Sequence, residues 1–250
     1  MNNVIAASWN IRGLGRNEKK AAVRNRAIKT RAKLVFLQES KIQRMDQWVL
    51  GKICERASNF SFLFSPSVGS AGGLISLWDQ SFFGIASYRI FTSLIAMVGT
   101  ISEVNLQCTL INVYAPNKAE ERHKVFAEMK EFIQQAGLPC LVGGDFNTVL
   151  NEDERSGASH HKKEMLCFSQ FIEDLSLVDL PLQGSKFTWS SHRELPSFSR
   201  IDMFLLSSGL LSAWPDLLQC SFPKSLSDHN PIGLAFMGKS WGPRPFKLFD

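Results

Sequence analysis

The chain has 250 residues, 44% of them hydrophobic and 20% charged, with 17 Gly and 10 Pro. That is ordinary globular composition, and it excludes a collagen-like fibre, a coiled coil and an intrinsically disordered chain. Lys and Arg outnumber Asp and Glu by 28 to 23, and a net charge of +5 is too small by itself to argue for a polyanionic partner.

Short apolar runs bounded by Gly, Pro or Asn alternate with helical patterns along the chain. Val4–Trp9 and Leu34–Gln38 read as strands. A weakly periodic helix over Asn17–Thr30 lies between them, and another over Asp46–Arg56 follows. Ser61–Phe64, Leu74–Trp78 and Gln107–Val113 read as further strands. Over Ala119–Ala136 the spacing of Val125, Met129, Phe132 and Ile133 predicts an amphipathic helix, closed by Gly137 and Pro139. Cys140–Val142 predicts a strand; Met165, Phe168, Ile172 and Leu175 predict a helix ending near Leu177; Phe187–Trp189 and Met203–Leu206 predict two more strands. Residues 60–115 offer no helix to carry a parallel crossover, so the strands there should pair largely antiparallel. The expected fold class is α/β (α+β): a four-layered sandwich of two mostly antiparallel sheets packed face to face, flanked by helices. Residues 1–238 are expected to form one domain. Residues 239–250, rich in Pro and Gly, read as the start of a linker toward a further C-terminal region.

The five cysteines are widely spaced, set mostly among apolar residues, and form no C-x-x-C pair. They read as reduced, buried thiols rather than as a zinc or redox site. The N-terminus lacks the basic and long apolar regions of a signal peptide, and no run approaches the roughly 18 apolar residues of a membrane span. An intracellular protein is expected, in the nucleus or the cytoplasm or both, not secreted and without a membrane partner. Trp9, Trp48, Trp78 and Trp214 sit among apolar residues and should be core. His160-His161 reads as a solvated loop, and Gly13-Leu-Gly15 lacks the third glycine of a dinucleotide fingerprint.

Charge is unevenly spread. From Arg12 to Lys33 the chain carries nine cations against one anion, Glu18. Such a run is either a solvated helix face or a phosphate-binding flank.

Polar residues at strand ends are the more informative feature, because a strand holds a side chain rigidly while the following turn exposes it. They are Asn10 and Arg12 after the first strand and Glu39 after the second. Tyr114 and Asn117 follow a central strand, Asp145 and Asn147 stand in Gly143-Gly-Asp-Phe-Asn, and Asp228-His229-Asn230 lies near the end, with Asp202 before the apolar run 203–206. Singly, each is also what a plain Asx-turn or a solvent-facing strand end looks like. Together, carboxylates and amides with one His suit a hard, oxygen-ligated cation such as Mg²⁺ better than zinc, and such a set can neutralise and hydrolyse a phosphodiester.

These motifs resemble those of the endonuclease/exonuclease/phosphatase superfamily, over about Val4 to Leu234. In detail they are similar to the apurinic/apyrimidinic-endonuclease-like domain of plant LINE-type (non-LTR) retrotransposons. Trp9-Asn-Ile-Arg-Gly-Leu-Gly, Asn147 followed by Glu152-Asp-Glu-Arg155-Ser-Gly, Arg200-Ile-Asp202-Met-Phe-Leu and Pro243-Arg-Pro-Phe-Lys-Leu-Phe carry that likeness. The resemblance implies a Mg²⁺-dependent DNA endonuclease, with Mn²⁺ able to substitute, leaving a 3′-hydroxyl that primes a reverse transcriptase in the same polyprotein. It implies Glu39 as the principal metal ligand, with Asn10 and Asp228 close to the ion or its waters. It implies catalytic roles for Asp145 and Asn147 on the attacking water, Tyr114 on a phosphate oxygen, and His229, oriented by Asp202, facing the scissile phosphate. Arg12, Arg155, Trp189 and Arg200 are the implied DNA-contacting residues. Several repair-type members have an acidic residue where this chain has Arg12, so the metal site has one carboxylate fewer. Two other readings stay open: a phosphoesterase of the same fold acting on a small phosphorylated substrate, and a non-catalytic retroelement remnant that binds nucleic acid with a steep salt dependence.

Overall fold

A computed structural model describes residues 4–55, 57–69, 72–156, 162–191 and 193–236. The first half of the chain runs β1 (Val4–Asn10), α1 (Asn17–Thr30), β2 (Leu34–Gln38), α2 (Gln47–Ile53), β3 (Phe60–Ser65), β4 (Leu74–Asp79), β5 (Phe83–Ile90), β6 (Leu94–Ile101), β7 (Leu106–Tyr114) and α3 (Ala119–Ala136). The second half runs β8 (Cys140–Asp145), α4 (Lys162–Asp174), β9 (Leu177–Asp179), β10 (Leu182–Gln183), β11 (Trp189–Ser190), β12 (Phe198–Ser199), β13 (Asp202–Ser207), α5 (Ser208–Ala213), β14 (Leu217–Ser221) and β15 (Ile232–Phe236).

Strands that are apolar on both faces must be covered on both, and this requirement sets the layers. In β13, Phe204 and Leu206 point one way, into a core shared between two sheets, while Met203 and Leu205 point the other way, onto helices. One sheet has the order β10-β14-β15-β1-β2-β4-β3 and the other β5-β6-β7-β8-β13-β9. Between them lie Phe36, Trp78, Met97, Leu110, Leu141 and Phe204. Outside the second sheet, α3 and α4 bring Phe126, Met129, Phe168 and Phe171 onto Ile111, Val142 and Leu205. Outside the first, α1 and α2 bring Val23, Leu50 and Ile53 onto Trp9, Val35 and Leu77. The four layers expected from the sequence are present, and most pairings are antiparallel, with β1–β2, β7–β8 and β10–β14 parallel. Among the described residues no helix is long and apolar enough to cross a membrane. None of the five cysteines is in a disulfide; Cys54, Cys108 and Cys140 are buried as expected, Cys167 and Cys220 only half-buried, and burial pushes the Cys108 and Cys140 thiols up to about 12.

The differences from expectation are local. Asp46 caps α2, its side chain accepting from the Val49 N–H at 2.9 Å, but the helix ends at Ile53. α4 ends at Asp174, because Leu177 pairs with Ser207 to begin β9. The strand expected at Phe187–Trp189 begins only at Trp189. Trp48 is not core: it is 64% exposed, on the side of α2 away from Leu50 and Ile53, with the Lys20 and Lys52 ammonium groups over its ring at 5.7 and 5.3 Å. His160-His161 and the proposed linker 239–250 lie outside the described residues.

Gly143 and Gly144 decide how closely β8 can lie to its neighbours. A Cβ on Gly143 would run into the Phe204 ring, and one on Gly144, at φ +153°, would overlap the Val113 carbonyl. Only without side chains there can β8 hold Asp145 level with Tyr114 of β7 and with Asp202 of β13. Gly144→Ala should lower stability by about 3 kcal/mol, the upper end for overpacking a rigid core, as read from urea midpoints.

Candidate active site

The strands that end at one edge of the sandwich each deliver a polar side chain there. Asn10, the last residue of β1, pairs with Gln38 at the end of β2, and Glu39 follows. Asp145 lies between Tyr114 and Asp202 in the second sheet. The turn before β15 adds Asp228 and His229, the latter bridged to Trp189. Immediately after the strands the backbone takes left-handed conformations at Arg12 (φ 53°), Glu39 (φ 47°) and Asn147 (φ 50°), which turn these side chains off the strand axes. For an ordinary side chain this conformation costs roughly 1–2 kcal/mol, and such residues persist only where the surroundings over-determine them.

The side chains form one connected network. The Asn10 amide donates to Glu39 Oε1 at 3.0 Å and to Asp145 Oδ2 at 2.8 Å, joining the two sheets. Asp145 Oδ1 accepts from the Asn147 N–H at 2.9 Å, and the Asn147 amide donates to the Ala115 carbonyl at 2.7 Å. His229 Nδ1 meets Asp202 Oδ2 at 2.9 Å, leaving Nε2 3.8 Å from Asp145 and 3.9 Å from Asp228. Arg12 spans Glu39, with Nη1 at 2.9 Å, and Asp228, to which both Nε and Nη2 donate at 3.1 Å. These groups open onto a cleft whose lining also includes Arg122, Arg155 and Trp189.

Burial and charge set the protonation states. Burial alone would push His229 down, but the Asp202, Asp145 and Asp228 carboxylates outweigh it and hold the imidazole at about 9, so it is a cation at neutral pH. Asp145 is raised to about 7, first by burial and then by Asp202, against the pull of His229 and the Asn10 and Asn147 donors. Asp228 is held at about 2: burial opposes this, and the Arg12 fork and His229 overcome it. Tyr114 is pushed well above the ordinary phenol by burial and by Glu39 and Asp145, so it is a neutral donor.

Asp145, Asp202 and His229 lie close enough together to suggest a metal cage. With Nδ1 committed to Asp202, however, this trio orients and charges an imidazole rather than ligating an ion. The better-suited donors for a hard dication are the oxygens of Glu39 and Asp145 beside the Asn10 amide, an all-oxygen set of the kind that suits such an ion.

Of the residues expected from the sequence, Asn10, Arg12, Glu39, Tyr114, Asp145, Asn147, Asp202, Asp228 and His229 come together at this edge. Arg155 and Trp189 line the cleft, with Arg155 Nε donating to Ser199 at 3.0 Å and Trp189 Nε1 to Asp228 at 2.9 Å. Arg200 does not: at 7% exposure it is sealed inside, its guanidinium held at 2.6–2.7 Å by Asp179 and Glu154, so it is a structural ion pair and not a DNA contact. The basic run is divided too. Arg24 pairs with Glu55, Lys33 with Glu103, and Lys19 donates to the Ile11 and Arg12 carbonyls, fixing the loop that carries Arg12.

Sequence reasoning missed several supports. The Ser227 hydroxyl donates to the Asn10 carbonyl at 2.7 Å and accepts from the His229 N–H at 3.2 Å. Thr188 accepts from the Ile201 and Asp202 N–H groups, each at 3.1 Å. Gln38 donates to Asn112 at 2.8 Å, tying the two sheets together behind the site. Arg122 holds the Pro116 and Asn117 carbonyls at 3.0 and 2.9 Å. Its signal was available: Arg122 is a lone charge on the same helical stripe as Val125 and Met129.

The architecture defines a class, a two-sheet sandwich with a carboxylate–histidine centre at its strand ends, and solved structures share the fold. An apurinic/apyrimidinic endonuclease from Leishmania major superposes with a TM-score of 0.75 at 16% identity, covering 93% of this chain and 87% of its own. The endonuclease domain of TRAS1, a telomere-specific non-LTR retrotransposon, gives 0.68 at 15% identity over 94% and 99%. An apurinic/apyrimidinic endonuclease from Archaeoglobus fulgidus gives 0.72 at 15% over 92% and 98%. The sequence profile of the Endonuclease/Exonuclease/phosphatase family matches residues 7–229, and the chain belongs to that family. A curated relative, the uncharacterized 149 kDa protein of transposon TX1 from Xenopus laevis, is 30% identical over 132 residues, which is 50% of this chain but only 10% of that protein.

Two outcomes follow. Arg200→Ala strands the buried Glu154 and the half-buried Asp179 without their shared cation and should cost about 3 kcal/mol in urea unfolding. In the metal-free protein, His229 contributes stability that is complete below about 6.5 and lost as pH rises through about 9. The raised Asp145 works in the same direction between about 4 and 7, since its ionisation is easier in the unfolded chain. EDTA-treated protein should therefore lose stability steadily from about pH 4 to 9, and Asp145→Asn should remove the lower half of that slope.

Proposed function

We propose that the chain is a divalent-cation-dependent DNA endonuclease that hydrolyses one phosphodiester and leaves a 3′-hydroxyl. The observation that carries this is the imidazolium of His229, oriented by Asp202, facing Asp145 at the floor of an arginine-walled cleft. Both solved neighbours of the repair type and TRAS1 are endonucleases by title, which supports the same chemistry here.

In this reading Asp145, raised toward neutrality, takes a proton from the attacking water, and Asn147 positions that water or the phosphate. His229 donates from Nε2 to a non-bridging oxygen as negative charge builds there. Tyr114 donates to the same phosphate. The oxygen that departs is O3′, so the products are a 3′-hydroxyl and a 5′-phosphate. Glu39, with Asn10 and the near side of Asp145, would hold Mg²⁺, for which Mn²⁺ can substitute; Asp228 stands beside them. That ion would stabilise the charge on the leaving oxygen. Arg155 and Trp189 would contact the DNA beyond the cut.

TRAS1 and the TX1 relative support a retrotransposon setting. There the 3′-hydroxyl would prime a reverse transcriptase in the same polyprotein, with the domain at 1–238 leading into a linker. The protein would work inside the cell, in the nucleus or the cytoplasm.

Purified protein should nick supercoiled plasmid with Mg²⁺ and not with EDTA, and the nicks should be extended by a polymerase without prior phosphatase treatment. Asp145→Ala and His229→Ala should each reduce nicking by at least about 10²-fold while retaining a cooperative melt. Full activity in either variant, or phosphate release from small phosphoesters without nicking, would overturn the reading.

A further inference from the structure

Asp228 is held by three N–H donors. Its Oδ1 accepts from Arg12 Nε at 3.1 Å and lies 3.4 Å from the Ser227 hydroxyl, while its Oδ2 accepts from Arg12 Nη2 at 3.1 Å and Trp189 Nε1 at 2.9 Å. Both oxygens are tied to the Arg12 fork, so a cation bound at Asp228 would have to lie against that guanidinium or break a charge-assisted, bidentate pair. The same guanidinium reaches Glu39 Oε1 at 2.9 Å, so one fixed positive charge lies across two carboxylates. Its position is enforced from behind. The Arg12 backbone is left-handed, its N–H donates to Asn10 Oδ1 at 3.1 Å, and its carbonyl is gripped by Lys19 at 2.9 Å.

A guanidinium has five N–H bonds. Arg12 donates one from Nε and one from Nη2 to Asp228 and sets Nη1 beside Glu39 as an ion pair, and its side chain is 38% exposed at the cleft that holds Asp145, Asn147 and His229. The remaining donors are available to an incoming oxyanion, in the forked geometry that suits a phosphate.

We propose that Arg12 is a built-in second cation: it takes Asp228 as its own counter-ion, restricts the centre to one divalent ion on the Glu39 side, and offers its free N–H groups to a non-bridging oxygen of the substrate phosphodiester. This rests on the endonuclease reading for its substrate, but its effect on cation binding does not. Arg12 thereby substitutes for an ion that would otherwise have to be recruited at every turnover. Removing it takes away the one cation that Glu39 and Asp228 share and leaves Asp228 only the His229 imidazolium at 3.9 Å, which makes room for a dication between the two carboxylates.

The test counts Mn²⁺ on the full chain by electron paramagnetic resonance and titration calorimetry, with no DNA present. The native protein should bind one ion. Arg12→Ala and Arg12→Gln should bind a second ion, or the first at least about tenfold more tightly, and Arg12→Ala combined with Asp228→Asn should restore the native count. Arg12→Lys, which keeps the charge, should still bind one. Affinity for a short uncleavable duplex should fall in the two neutral variants, measured in EDTA so that the extra ion plays no part. The proposal is overturned if the native protein binds two ions, or if both neutral variants match it in count and affinity; thermal melts of the two variants exclude misfolding as the cause. Because nicking is not read, a protein that counts as expected but never nicks would sink the endonuclease reading and leave the role of Arg12 standing.

Discussion

Three ionisable groups, Asp145, Asp202 and His229, are packed almost wholly out of water, and the rest of the site is arranged so that they neutralise one another. A buried carboxylate pair is unfavourable unless a positive charge lies between its members, and a buried imidazolium is unfavourable unless carboxylates flank it. Each group therefore makes the others possible. The compensation works only if the three are held at fixed separation, which is why they come from paired strands and a turn locked by Ser227 and Thr188 and not from mobile loops. The two glycines before Asp145 serve the same requirement at one remove, by letting β8 lie against β7 and β13 at the necessary distance.

Much of this was legible in the sequence. Continuous apolar runs such as 203–206 announced strands buried on both faces, and the stripe at 125, 129, 132 and 133 announced α3 to the residue. Strand-end polar residues named the site because a strand end is where rigidity and exposure coincide. What was not legible depended on partners distant in sequence. Arg200 looked like the neighbouring site residues, yet its fate was set by Asp179 and Glu154, either of which could as well have faced solvent. Trp48 looked like core because its neighbours are apolar, but α2 has too few turns to bury more than one face. Short helices give little periodicity to read.

The network also explains how a site with a basic flank can remain ordered before substrate arrives. The cations nearest the carboxylates are already engaged: Arg12 by Glu39 and Asp228, Lys19 by backbone carbonyls, Arg122 by the loop after Tyr114. Polar groups fixed in advance need little reorganisation when charge develops between them, and this preorganisation is where the larger part of electrostatic catalysis resides.

The left-handed backbone at Arg12 and Glu39 has an evolutionary corollary. At both positions glycine would relax the main chain, and selection for thermal robustness alone would favour it, while erasing the side chains on which the chemistry depends. Arg12 and Glu39 therefore keep a strained main chain for the sake of what their side chains hold: the guanidinium between two carboxylates, and the carboxylate that takes the Asn10 amide.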